Sequence, residues 1–369
     1  MPKLHLFFPE NDLALARNLE RYTPPPAATQ LRRSGQTLAL WYGDDGDEVF
    51  DQGVDARWYE NIKNKFSLHT TLYNGSVAGL TPAPWGWSKA SRLFLRNIGF
   101  RPEQLPDNAQ LDRMRQLSHR RTAAAIATAL QSTLPYPLPE PAKELTSMEE
   151  VEAYVSHTES AILKLPWSSS GRGLIFADRN ILPHIRTSIE GVIRRQGAIM
   201  GEQRLNKKAD FAMLFSICGG RCAYNGLSLF RTEQTGAYTG NILAPQLVLQ
   251  REIETNTPPL QPLADALVPI LEDIIGEDYN GPLGIDMMAV DNGDIRIAPA
   301  VELNLRMTMG HVCRIFYENF VAHGRTGTFS VETRGAGETN AVVKDSRIDA
   351  GTVSLSPPIS PFSFRVDIR

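Results

Sequence analysis

Val301-Glu302-Leu303-Asn304-Leu305-Arg306 is the stretch on which the fold turns. Apolar and polar residues alternate, so it reads as a strand carrying a carboxylate, an amide and a guanidinium on one face. Carboxylate and amide oxygens are hard donors that suit a small divalent cation. A planar, permanently charged fork beside them suits an acyl phosphate or an oxyanion forming at a carbonyl carbon. Just upstream, Ile285 to Val290 and Ile295 to Asn304 pair through the turn Asp291-Asn292-Gly293-Asp294, which makes Asp286 the third metal ligand. A plain hairpin centred on Asn292-Gly293 sets Asp286 opposite Pro299 and leaves Glu302 on the other face. Proline inside a paired strand marks an edge or a bulge. A one-residue bulge at Ala298-Pro299 is therefore expected, returning Glu302 and Asn304 to the face of Asp286. Without it, Asp286 is a surface acid at a hairpin.

A second segment complements the first: Ile162-Leu163-Lys164-Leu165-Pro166-Trp167-Ser168-Ser169-Ser170-Gly171-Arg172-Gly173. It reads as an apolar strand with one lysine, running into a small, hydroxyl-rich loop. The chain has no Gly-x-x-x-x-Gly-Lys-Ser/Thr and no Gly-x-Gly-x-x-Gly opening a helix, so phosphate must be held another way. Lys164 offers a compact point charge. The backbone N–H groups of Ser168, Ser169, Ser170, Gly171, Arg172 and Gly173 form a flap over phosphate. Alone, this is equally an ordinary hairpin turn. Together, the two segments describe a nucleoside triphosphate site with a bound cation.

The whole chain sets bounds on the alternatives. With 369 residues, 42% of them hydrophobic, it can bury a large core spread over two or three subdomains. Lys plus Arg number 38 against 41 Asp plus Glu, which offers no broad basic field for nucleic acid or anionic membrane. The apolar run Leu4 to Phe8 is broken too early to be a secretory signal, and no uncharged stretch spans a bilayer. Cys218, Cys222 and Cys313 match no zinc or redox spacing, and the seven histidines are dispersed. A cytoplasmic globular protein with reduced thiols is expected. No Ser/His/Asp or Cys/His set stands out, so no side-chain nucleophile is implied.

Along the chain, Lys3 to Phe8 is a strand, and Asp12 caps a helix to about Arg21. A second helix ends at Gly35, and Gln36 to Tyr42 is read as a further strand. This alternation suggests a small open α/β sheet whose ligands lie beyond the strands' carboxyl ends, at Glu10, Asn11 and Asp12. A capped turn is the other reading of those three residues. Gln110 to Leu130 is helical and divisible at Ser118. Strand, loop, strand, helix, strand follow between 161 and 204. A hairpin folds around Gly219-Gly220, and helices cover Pro262 to Ile275 and Met309 to His323. The segment from Thr326 is strand-prone and glycine- and proline-rich, and its residues assign it no role.

Lys164 with its loop, then Asp286, then Glu302-Leu303-Asn304-Leu305-Arg306, resembles the ATP-grasp superfamily of carboxylate–amine ligases. The match is good over about 110 to 323 and looser towards the N-terminus. The resemblance implies an α/β pre-grasp domain over 1–108 and a two-subdomain α+β grasp fold. The first subdomain, 109–205, carries the flap; the second, 206–325, carries the metal site; 326–369 is a tail. It implies ATP and Mg²⁺ (or Mn²⁺), with Asp286, Glu302 and Asn304 on the metal and Lys164 on the nucleotide phosphates. Ala198 to Leu205 resembles the adenine-binding linker, with Glu202 and Leu205 at the adenine edge and Asp210 a ribose candidate. The family's other phosphate-binding lysine is missing, and Arg120 or Arg121 stands in for it, Arg121 being taken as the nucleotide contact. The implied reaction is ADP-forming: a small-molecule or peptide carboxylate becomes an acyl phosphate, an amine attacks it, and Lys164 and Arg306 act as catalytic groups. The acceptor pocket would lie between the N-terminal sheet and Arg306. A phosphotransferase and a non-catalytic nucleotide-binding protein are the rival readings. No nucleic acid or membrane partner is implied, and a homodimer is the default assembly.

Overall fold

The computed structural model describes all residues except 159, 169–172, 234–235, 334–338 and 359. The chain begins with β1 (Lys3–Leu6), α1 (Asn11–Arg17), α2 (Pro26–Gly35), β2 (Glu48–Val49), α3 (Ala56–Phe66), β3 (Thr71–Leu72), β4 (Thr81–Pro84) and α4 (Lys89–Asn97). The four strands form a parallel sheet in the order β3-β2-β1-β4. Residues 36–42 depart from the sequence reading: Gln36–Trp41 is a 3₁₀ helix. Thr37 Oγ1 and Trp41 Nε1 both donate to the Leu355 carbonyl, at 2.9 and 3.3 Å. A strand would hold those two side chains about 13 Å apart, since it rises about 3.3 Å per residue. Only a helical turn lets both reach one oxygen.

Next come α5 (Asn108–Leu117) and α6 (Arg120–Gln131), separated as Ser118 suggested, although His119 is the residue that caps α6 through its Nδ1. A second sheet is built from β5 (Lys143–Leu145), α7 (Met148–Thr158), β6 (Ser160–Lys164), β7 (Leu174–Asp178), α8 (Pro183–Gln196) and β8 (Ile199–Gln203). Its strands are antiparallel in the order β5-β8-β6-β7. Val151, Val155, Leu163, Ile189 and Ile199 form its fully buried core.

The remainder is β9 (Lys207–Cys218), β10 (Arg221–Thr232), β11 (Tyr238–Leu243), α9 (Gln246–Glu254), α10 (Gln261–Ile275), β12 (Gly281–Asn292), β13 (Ile295–Asn304), α11 (Met309–Phe320), β14 (Gly327–Thr333), β15 (Val342–Lys344), β16 (Arg347–Ser354) and β17 (Phe362–Ile368). These strands make one nine-stranded sheet, β13-β12-β9-β10-β11-β14-β17-β16-β15. Helices α6 and α10 cover one part of it through Ile126, Leu130, Leu263 and Leu267 against Phe211, Met213 and Phe215. Helix α11 lies against the N-terminal core, where Phe316 meets Trp41.

The C-terminal strands are thus an integral part of the large sheet. Phe364 is fully buried and packs edge-on against Phe7 of the N-terminal core, ring centroids 6.1 Å apart. Gly35 sits where the two rings meet: a Cβ there would lie 2.3 Å from Phe7 Cε1 and 2.9 Å from Phe364 Cζ. No helix among the described residues is long and apolar enough to cross a membrane. Phe364→Ala is expected to lower stability by about 3–5 kcal/mol, as for a buried core aromatic. Urea unfolding measures it; a loss below about 0.5 kcal/mol, typical of a surface position, would detach these strands from the core.

Candidate functional site

One cleft of about 620 Å³ is walled by the second and the nine-stranded sheets and by the turn and helices that follow β1. Lys164, at the end of β6, is buried and lines it, with Nζ 2.5 Å from Glu202 Oε2 on β8. The pairing follows from register. Ile162 lies opposite Glu202, and Lys164, two residues on, shares that face. Leu205 and Asp210 also line the cleft. Asp210 Oδ2 accepts hydrogen bonds from Lys207 Nζ and Thr232 Oγ1, each at 2.6 Å. Lys207 and Arg204 are cleft residues that the sequence did not single out, Arg204 lying 5.4 Å over the Phe176 ring. Their only sequence signal was proximity to Leu205 and Asp210. Ser169, Ser170, Gly171 and Arg172 of the expected flap lie outside the described residues. Ser168 is buried and accepts a hydrogen bond from Arg120 Nη2 at 3.2 Å. Gly173 has φ +86°, and a Cβ on it would meet Leu165 Cδ1 at 2.9 Å.

On β12 and β13 the register slips between Ala298 and Glu302, with Pro299 inside the slip. Met288 pairs with Ala298, whereas Asp286 pairs directly with Glu302. Three residues of β13 therefore face one of β12, so the irregularity is larger than the single-residue bulge read from the sequence. A second slip lies between Ala289 and Asn292. The outcome for parity is the same: Asp286, Glu302 and Asn304 share a face and line the cleft.

Arg306 is held at four of its five N–H groups. Nε and Nη2 clasp Asp12 of α1, with Oδ2 at 3.0 and 2.8 Å. Nη2 also donates to Asn304 Oδ1 at 2.7 Å, and Nη1 to the Met307 carbonyl at 3.1 Å. Burial lowers its pKa, but Asp12, Glu302 and Asp286 together outweigh that and hold it above the usual arginine value. The expectation of a fork turned to an anion is corrected: Asp12 takes two of its N–H groups, and Asn304 and Met307 take one each. Asn304 gives its oxygen to Arg306 and its N–H to Asp286. The two carboxylates, more than the amide, are left as hard donors.

Arg121 is also corrected. It is half-exposed, faces away from the cleft, and pairs with Gln116 and, at 3.7 Å, with Glu144. Successive residues at a helix start point about 100° apart, and Arg120 is the one turned inward. It is buried, donates to the Leu165 carbonyl at 2.9 Å, and lies 3.1 Å from Glu302 Oε2. Its Nη1 is buried without a partner among the described residues.

No family model matches the sequence, and no curated protein matches it. Solved structures do. Biotin carboxylase from Campylobacter jejuni, as its β,γ-ATP complex, superposes with a TM-score of 0.57 over 100% of this chain and 88% of that one, at 11% identity. N5-carboxyaminoimidazole ribonucleotide synthetase from Thermus thermophilus gives 0.52 over 99% and 93%, at 14% identity. The biotin carboxylase domain dimer of 2-oxoglutarate carboxylase from Hydrogenobacter thermophilus, with MgADP and bicarbonate, gives 0.50 over 99% and 86%, at 11% identity. The chain has the ATP-grasp fold.

An ATP-grasp fold implies Mg²⁺, and the donor set can be tested against it. No group of three or more His, Cys, Asp or Glu side chains suited to a metal occurs among the described residues. Mg²⁺ does not need one: it binds through one or two carboxylates, retaining waters and phosphate oxygens. Asp286 and Glu302 face each other on paired strands. Burial, and then Glu302, push the Asp286 carboxyl up to about 7. Two acids set against each other in the cleft fit a cation that would relieve both.

The same geometry fixes a pH dependence. Because Asp286 has a raised folded-state pKa, its contribution to stability is full below the ordinary carboxylate range and is lost as pH rises through about 7. Urea unfolding without Mg²⁺ should therefore show wild type losing more stability between pH 5 and pH 8 than Asp286→Asn does. Equal losses would remove the strain assigned to this pair.

Proposed function

We propose that the protein is an ATP-dependent, ADP-forming ligase that joins a carboxylate to an amine. The observation that supports this is the convergence of Lys164 and Arg120 with the facing carboxylates Asp286 and Glu302 in one cleft. They come from elements that only the ATP-grasp fold assembles in this chain. Biotin carboxylase and N5-carboxyaminoimidazole ribonucleotide synthetase share that fold.

In this reading a substrate carboxylate oxygen attacks the γ-phosphorus of ATP, the bond to the β,γ-bridging oxygen breaks, and ADP leaves with its electron pair. The amine nitrogen then attacks the acyl-phosphate carbon. The C–O bond to phosphate breaks, phosphate departs with that pair, and the nitrogen releases a proton. Lys164 moves from Glu202 to the phosphate oxygens, and the unpartnered Nη1 of Arg120 supplies a second positive charge. Asp286 and Glu302 would hold Mg²⁺, which supplies charge neutralisation for the polyphosphate. Arg306 offers its one remaining N–H to the oxyanion and, through Asn304, orients Asp286. Adenine lies along the Glu202–Leu205 linker, with Asp210 at the ribose. The reaction takes place in the cytoplasm, in keeping with three unpaired cysteines.

Thermal-shift titration tests the assignment. MgATP should raise the Tm of wild type, and Lys164→Ala should weaken nucleotide binding by roughly ten- to a hundredfold, the value of a charge-assisted bond. Glu302→Gln should weaken binding of MgATP more than of metal-free ATP. If both variants respond as wild type does, the site lies elsewhere.

A further inference from the structure

Strand register sets one serine in the same row as the two facing acids. Ser228 on β10 pairs with Ala212 on β9, Ala212 with Asp286 on β12, and Asp286 with Glu302 on β13. Residues opposite one another in a sheet share a face, and Ser228, like the other three, lines the cleft. Two strand spacings, about 10 Å, separate it from Asp286. That leaves room between them for a metal-held phosphoryl group and a carboxylate.

What a carboxylate would meet there follows from the hydrogen bonds behind Ser228. Asn241 Nδ2 donates to Ser228 Oγ at 2.6 Å and to the Leu229 carbonyl at 3.3 Å. A carbonyl can only accept, so Leu229 fixes which way the Asn241 amide points. Asn241 Oδ1 in turn accepts from the Tyr238 hydroxyl at 2.5 Å. Burial raises the pKa of that phenol well above the ordinary tyrosine value, which keeps its proton in place. The donors therefore run in one order, from Tyr238 through Asn241 to Ser228. Ser228 Oγ receives a hydrogen bond, and its own hydrogen has no acceptor among the described residues. Ser228 is 4% exposed, and a buried donor left unused is disfavoured unless a ligand takes it.

The surroundings select what that hydrogen can meet. Ser228 Oγ lies against Gly310, in the first turn of α11, where a Cβ would come within 2.6 Å of it. The backbone N–H groups of Met309 and Gly310 also have no acceptor among the described residues, and both residues line the cleft. Arg306 is engaged by Asp12, Asn304 and Met307, so an anion at this wall must be held mainly by uncharged donors. We propose that Ser228 is a specificity-determining residue of the cleft: its hydroxyl, oriented by Asn241 and Tyr238, donates to an oxygen of the carboxylate substrate. That oxygen is the one that stays on carbon while the other attacks the γ-phosphorus. The inference rests on the ligase reading and adds to it the side chain that seats the carboxylate.

The test uses the full-length protein with MgAMPPNP, which cannot transfer its γ-phosphoryl group, and acetate as the probe. Acetate should raise the Tm beyond MgAMPPNP alone, and sodium chloride at equal ionic strength should not. Ser228→Ala should weaken acetate binding about tenfold or more, as for a hydrogen bond to a charged group, while still responding to MgAMPPNP as wild type does. Tyr238→Phe keeps the ring and removes the hydrogen that holds Asn241, so it should weaken acetate binding by a smaller factor. A serine with a merely structural role would not separate the two responses. Should Ser228→Ala fail to fold, Tyr238→Phe decides alone. Acetate binding unchanged in the variants overturns the inference and leaves the nucleotide site standing. So does a protein that responds to MgAMPPNP but not to acetate, or to acetate only as it does to sodium chloride. Absence of a MgAMPPNP response removes the nucleotide reading, and this inference falls with it.

Discussion

A single line of polar side chains ties the three sheets together, and the geometry of the cleft depends on it. It starts at Asp12 beyond the first sheet, passes through Arg306 and Asn304 to Asp286, and crosses to the facing Glu302. From Glu302 it reaches Arg120 of α6 and ends at Ser168. Every member is at least partly withdrawn from water, so the line contributes little net stability: desolvation offsets much of the Coulomb attraction. Its effect is orientation. Each guanidinium bonds groups from two different elements, and a planar fork held at several N–H groups has little freedom left. Removing one partner would leave its neighbour buried and unmatched, which is far worse than never having buried the pair.

How much of this was readable from residues alone differs from element to element. Alternation made the strand ending in Glu302, Asn304 and Arg306 legible, and Pro299 announced the break in pairing needed to align it with Asp286. The size of that break was not legible, because bulges are set by how both strands pack and not by one proline. The run Thr37–Trp41 looked like a strand because it is apolar; what coils it is a carbonyl more than three hundred residues away, at Leu355. The choice between Arg120 and Arg121 turned on where α6 begins. A one-residue difference in a helix start rotates a side chain from the cleft into solvent. The clasp of Asp12 on Arg306 joins residues from opposite ends of the chain, and no local pattern encodes it.

The two ends of the cleft are built by different means. At the end lined by Lys164 and Asp286, charges of both signs stand close together: Lys164 with Glu202, Lys207 with Asp210, Arg120 with Glu302. Such pairs can exchange partners when a polyanion and a cation arrive, at little electrostatic loss. At the other end Leu13, Leu31, Val331 and Phe362 stand beside the polar side chains of Asn241 and Thr333.

The meeting of Phe7 and Phe364 has a consequence for how the chain is made. The first strand emerges from the ribosome long before the aromatic that completes its surroundings. Until Phe362–Ile368 has been synthesised, the N-terminal sheet presents an uncovered greasy flank. Closing a contact this distant along a polypeptide carries a loop-entropy cost that nearer contacts do not, so it belongs to the later steps of folding.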